Sequence, residues 1–127
     1  MEHVNFIRTG QLAPLQHLVA KNLNLVNLPD ERGFTPLVLA TYIGQKEIAE
    51  LLIDHGANVN AQDSVGNTAL MGVSFKGSKE LVEMLLARGA DIELANKQGD
   101  TALSFAKNHG HEEIVELLEN HSMSKRV

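Results

Sequence analysis

The chain has 127 residues, a net charge of −5 and no cysteine. That length suits one domain, the missing cysteines exclude disulfides and thiolate metal sites, and the negative balance argues against nucleic-acid binding, which rests on neutralising phosphates. No apolar stretch approaches the roughly 20 residues of a membrane span, and residues 1–10 lack the basic start and apolar run of a secretory signal, so a cytoplasmic protein without membrane contact is expected.

In chain order, residues 1–29 hold an apolar series, Leu15, Leu18, Val19 and Val26. The next unit is clearer. Thr35 can cap a helix with its hydroxyl oxygen, and Pro36 then takes the first helical position, where its missing N–H costs nothing. Gly44 ends that helix, and a second follows over residues 47–53, with Ile48, Leu51 and Leu52 on one face. Gly56 suits the left-handed position past a helix end. The same run returns with Thr68, Gly77, a helix over 80–86 (Leu81, Met84, Leu85) and Gly89. It returns again with Thr101, Gly110 and a helix over 113–118 (Ile114, Leu117, Leu118). Ahead of each threonine, Gly33, Gly66 and Gly99 mark tight turns projecting at about 30–34, 63–67 and 96–100.

All of these positions recur every 33 residues. A period in this range means stacked units, each covering its neighbour's apolar face. One period before Ile48, Leu51, Leu52 and Val59 stand Leu15, Leu18, Val19 and Val26, and Asn27 stands before Asn60. Residues 1–29 are therefore expected to be a degenerate first unit. At the other end, Glu119 takes the place of Ile53 and Leu86, and Ser122 takes the place of Gly56 and Gly89, as suits a C-terminal cap. The tail, 122–127, is expected to be frayed. With polar Gln11 and Gln16 at the front, the chain reads as a complete, self-capped protein.

Each of the three units from Asp30, Asp63 and Asn96 reads approximately D-x-x-G-x-T-P/A-L, an apolar stretch, then G-x-x-E-I/L-V/A-E-L/M-L, and the first two close on G-A-N/D-V/I. This resembles the ankyrin repeat, at its characteristic length. The resemblance implies an all-α solenoid of four stacked helix-turn-helix units with projecting turns: 1–29 as N-terminal cap, 30–62, 63–95, and 96–127 as C-terminal cap. The bare single-domain format suggests a bacterial stand-alone protein. Two departures stand out. Ankyrin repeats usually follow T-P-L with a histidine that ties neighbouring turns, and here that position holds Val38, Met71 and Ser104. Gly72 sits inside a first helix where Leu39 and Phe105 stand in the flanking units, at a cost of roughly 1 kcal/mol relative to alanine. It is expected to admit a bulky neighbour such as Phe105, or to relieve crowding.

No residue set points to catalysis, a cofactor or a metal. Gly72 to Lys79 nearly spells a phosphate-binding loop, but serine and lysine are exchanged and the preceding segment is helical. His109 and His111 lie two apart, so on a helix they would diverge, and Gly110 breaks the helix between them. In the ankyrin family the turn tips and the ends of the first helices line a concave surface that meets partners. By register those positions include Phe34, Tyr42, Ile43, Val65 and Phe75, with charged or polar Arg32, Lys76, Asp100 and His109 beside them. Exposed aromatic residues are typical interface anchors; the alternative is local packing. The expectation is a monomeric, non-enzymatic module that binds a partner protein through its concave face, as adaptor, inhibitor or immunity-type protein. The competing readings are a small-ligand or metal-binding regulatory protein, and a self-associating structural protein in which Tyr42 and Phe75 meet another copy.

Overall fold

The computed structural model describes residues 1–125, and among these the regular structure is entirely helical. The helices are α1 (Glu2–Arg8), α2 (Leu12–Lys21), α3 (Pro36–Tyr42), α4 (Lys46–Asp54), α5 (Ala69–Lys76), α6 (Lys79–Ala87), α7 (Ala102–Asn108) and α8 (Glu112–Lys125), with a short 3-10 turn at Leu23–Asn27. They form four pairs joined by short turns. First helices stack in the order α1, α3, α5, α7, and second helices pack beside them.

Local chemistry starts each pair. Thr35, Thr68 and Thr101 each accept a hydrogen bond on the side-chain oxygen, from the backbone N–H of Val38, Met71 and Ser104 at 3.1, 3.2 and 3.1 Å. These three partners stand where the family's histidine would. Two of them return the bond: the Thr68 N–H donates to Met71 Sδ at 3.4 Å and the Thr101 N–H to Ser104 Oγ at 2.9 Å. In these two helices a capping box occupies the position of the family's histidine.

The turns are built alike. Asp30 Oδ1 accepts from the N–H of Arg32 and Phe34, Asp63 Oδ1 from Val65 and Asn67, and Asn96 Oδ1 from Gln98 and Asp100, all at 2.9–3.0 Å. Neighbouring turns are tied without histidine. Asn96 Nδ2 donates to Asn67 Oδ1 at 2.9 Å, Gln62 Nε2 to the Ala95 carbonyl at 3.0 Å, and the Lys97 N–H to the Val65 carbonyl at 3.1 Å. Gly66, at φ +87°, allows this approach, since a β-carbon there would lie 3.0 Å from Asn96 Cα.

The apolar stripes read from the sequence form most of the core, although Leu18 and Leu117 are only half-buried. Leu15, Val19, Ile48, Leu52, Leu85, Ile114 and Leu118 are each at most 2% exposed and belong to one continuous cluster. Asn27 and Asn60 each bridge to the following unit: each side chain donates to a glycine carbonyl, Gly56 or Gly89, and accepts from an N–H, Asn58 or Asp91.

The last helix departs from expectation. It runs from Glu112 to Lys125, past the predicted end at Leu118 and through Ser122, Met123, Ser124 and Lys125, which were expected to fray. The reason is local. Gly56 and Gly89 adopt φ +101° and +92° and turn the chain after α4 and α6, but Ser122 holds that place in α8 and continues the helix. Arg126 and Val127, the rest of the expected frayed tail, lie outside the described residues.

Candidate functional site

Three register positions of the first helices shape one surface. Leu39, Gly72 and Phe105 occupy the same place in α3, α5 and α7, so a side chain is missing between two large ones. The result is an open groove of about 400 Å³, walled by α3, α5 and α7 and by the turns that precede α3 and α5. Phe34, Tyr42, Phe75 and Phe105 line it, with Val38 and Met71, Asp63 and Asn67, and Gly72 itself. Four of the chain's five aromatic side chains thus face one groove.

Gly72 does not make room for Phe105, as expected from sequence. A β-carbon at Gly72 would meet only Tyr42, at 3.5 Å from Cδ1. The missing side chain opens the side of the groove that faces α3. Phe105 packs instead on Phe75, edge to face, with ring centroids 6.0 Å apart.

The predicted residues divide into three groups. Tyr42, Ile43, Val65 and Phe75 are exposed, at 39–52%. Phe34 is half-buried and packs on the core while lining the groove, so it is wall, not tip. The polar residues do less than a free rim would. Lys76 donates to the Tyr42 carbonyl at 2.6 Å and lies 4.6 Å from the centre of the Tyr42 ring. Asp100 accepts from Ser104 Oγ at 3.3 Å. His109 sits against the Phe75 ring at 4.4 Å, with Nδ1 3.0 Å from the Phe105 carbonyl. Arg32 is exposed at its turn tip. Tyr42 and Phe75 line one shared groove, in which Phe75's ring contacts are Phe105 and His109.

His109 and His111 do not diverge. Their rings are near-parallel, 6.4 Å apart, because His111 lies beyond the helix break and folds back. His111 Nε2 stands 3.0 Å from the Phe75 carbonyl, joining the fourth pair to the third. Among the described residues no group of three or more His, Asp or Glu side chains is placed to hold a metal ion, and no helix is long and apolar enough to cross a membrane. Sequence reasoning missed Asp63, Leu39, Met71 and Phe105 as groove residues. The signal was available: 39, 72 and 105 share one register position.

A family model described as "Ankyrin repeats (3 copies)" matches residues 4–96 and 70–126. The chain belongs to the ankyrin repeat family. Its repeats are similar to those of the human protein named DNA-binding protein RFXANK, at 47% identity over 49 residues, which is 39% of this chain and 19% of that protein. The mouse protein of the same name is 54% identical over 35 residues, 28% of this chain and 13% of the relative. The rat protein named Ankyrin repeat and SAM domain-containing protein 6 is 43% identical over 51 residues, 40% of this chain and 6% of the relative. The match thus spans less than a fifth of each relative's length. These relatives are mammalian, so the bacterial origin suggested by the format finds no support in them. Ankyrin repeats are protein-interaction modules, and the groove lies where three of this chain's repeats present their first helices.

Proposed function

We propose that this ankyrin-repeat chain is a non-enzymatic binding module that docks a partner protein on the surface formed by its first helices and projecting turns. The groove between Tyr42 and Phe75 is its centre. The observation that carries the reading is the convergence of Phe34, Tyr42, Phe75 and Phe105 on one open groove, with Tyr42 and Phe75 exposed at it. Rings held at the surface by a rigid scaffold are the side chains that dominate binding energy when a partner covers them. Lys76 and His109 stand beside the rings of Tyr42 and Phe75, and with Arg32 and Asp100 at the turns they set association rate and selectivity more than affinity. The role is that of an adaptor or inhibitor acting as a monomer in the cytoplasm, without a cofactor. The human relative's name carries DNA binding, but a net charge of −5 supports a protein partner over a phosphate backbone.

The test is affinity capture of a partner with the wild-type chain, followed by titration of Tyr42→Ala, Phe75→Ala and Glu83→Ala. Glu83 is exposed on α6, away from the groove. Each aromatic truncation is expected to weaken binding by at least about 2 kcal/mol, and Glu83→Ala to leave it unchanged. Aromatic variants that bind like the wild type while Glu83→Ala fails would place the partner on the second helices. Self-association read by sedimentation and lost in Tyr42→Ala would replace the partner with a second copy.

A further inference from the structure

One register position separates the three turns. Asp30, Asp63 and Asn96 use Oδ1 identically, to hold the two N–H groups of their own turns. Their second atoms differ. Asn96 is uncharged, and its Nδ2 is spent on Asn67. Asp30 carries a charge, and its Oδ2 also lacks a hydrogen-bond partner, but the Arg8 guanidinium of α1 stands 3.6 Å from it. Asp63 carries the same charge at 7% exposure, and its Oδ2 has no hydrogen-bond partner. Among the described residues no cation pairs with it. The position one period after Arg8 is Thr41, a buried residue whose hydroxyl donates to its own helix, to the carbonyls of Leu37 and Val38. So α3 cannot give Asp63 what α1 gives Asp30. A buried carboxylate without a counter-charge is costly, and this one lines the groove.

We infer that the groove takes an arginine side chain of the partner, with Asp63 as its counter-charge and the aromatic rings as its walls. This inference rests on the docking reading above and names the chemistry of the anchor. Asp63 is the sole formally charged residue lining the groove, so the field inside it favours a cation. Apart from Asn67 and Thr68, the other lining residues are aromatic or apolar, which suits a long apolar stem bearing a planar guanidinium that stacks on ring faces. Gly72 leaves the space that a side chain would otherwise fill.

The experiment follows backbone amide shifts of the full ¹⁵N-labelled chain by NMR while titrating acetyl-Leu-Arg-Leu-amide. The same peptide with citrulline, which keeps the shape and loses the charge, or with norleucine, which keeps only the apolar stem, is titrated in parallel. The arginine peptide is expected to shift Asn67, Gly72 and Phe75 saturably. The citrulline and norleucine peptides should bind at least about fivefold more weakly. Asp63→Asn should bring the arginine peptide down to the citrulline level. Asn96 shows that asparagine supports the same turn, and the citrulline comparison on the wild type needs no variant at all. Equal binding of the norleucine or citrulline peptide, or an arginine affinity unchanged by Asp63→Asn, would overturn the arginine assignment, and so would the absence of groove shifts with all three peptides. The docking reading would still stand or fall separately, on partner capture with Tyr42→Ala and Phe75→Ala.

Discussion

The two layers of the stack differ in how faithfully they repeat. The second helices α4, α6 and α8 place Ile48, Leu81 and Ile114, then Leu52, Leu85 and Leu118, in equivalent buried positions. Across them runs a regular set of ion pairs, Lys46 to Glu80, Lys79 to Glu113 and Arg88 to Asp54. The first helices α3, α5 and α7 share their caps but not their faces. One position holds leucine, glycine and phenylalanine; another holds tyrosine, phenylalanine and Asn108. Repetition marks the parts whose task is to bury a neighbour, because every interface in the stack poses the same packing problem. The departures gather on one surface and make a groove there, which is where a partner-specific shape belongs.

The contrast predicts where substitutions are felt. Leu85→Ala, in the faithful layer and fully buried, should lose about 2–5 kcal/mol of stability in urea unfolding, the range for deleting buried methyl groups. Phe75→Ala, on the variable surface, should lose only about 1–2 kcal/mol, because the ring is partly exposed and its contacts are the edge-on Phe105 and His109. A loss as large as that of Leu85→Ala would make Phe75 a core residue and erase the distinction between layers. Ser74→Ala should run the other way. Ser74 Oγ is buried in α5 without a hydrogen-bond partner, so alanine there should gain roughly 0.5–1 kcal/mol.

The smallest effect belongs to the exposed ion pairs. Lys46→Gln should leave the unfolding midpoint unchanged at neutral pH, since surface pairs contribute little. The Glu80 carboxylate, chiefly by its hydrogen bond and then by its charge, holds the Lys46 ammonium above its usual pKa. A raised folded-state value contributes stability that is present below the unfolded pKa and lost as pH rises through the folded one. Any difference between Lys46→Gln and wild type should therefore vanish in strongly alkaline buffer, which thermal melts across pH would check.

The faithful layer was legible in the sequence because periodicity is a many-residue signal: one misplaced leucine would not hide it. The caps at Thr35, Thr68 and Thr101 were legible because their chemistry is local. The groove was only half legible. Register named Tyr42, Ile43, Val65 and Phe75 as surface positions, but whether a ring points outward or packs, as Phe34 does, depends on contacts between units that no local rule encodes. Gly72 was noticed, yet its neighbour was misassigned, because register alone does not say which flanking helix leans over the gap. The end of α8 was misread for a related reason. Ser122 stands where glycine turns the chain elsewhere, and a serine leaves the helix free to continue.

The central claim is that the gap at Gly72 is a binding feature carried at a cost to stability. It is tested most directly by the affinity of Gly72→Ala for the captured partner, measured on protein whose unfolding is followed in parallel. A methyl group there meets Tyr42 at an ordinary contact distance of 3.5 Å, and alanine is the better helix former, so the variant should be more stable by up to about 1 kcal/mol. The account predicts that this more stable protein binds its partner about tenfold or more weakly, because the methyl group fills space that the partner needs. Undiminished affinity in a stabilised Gly72→Ala variant would contradict it.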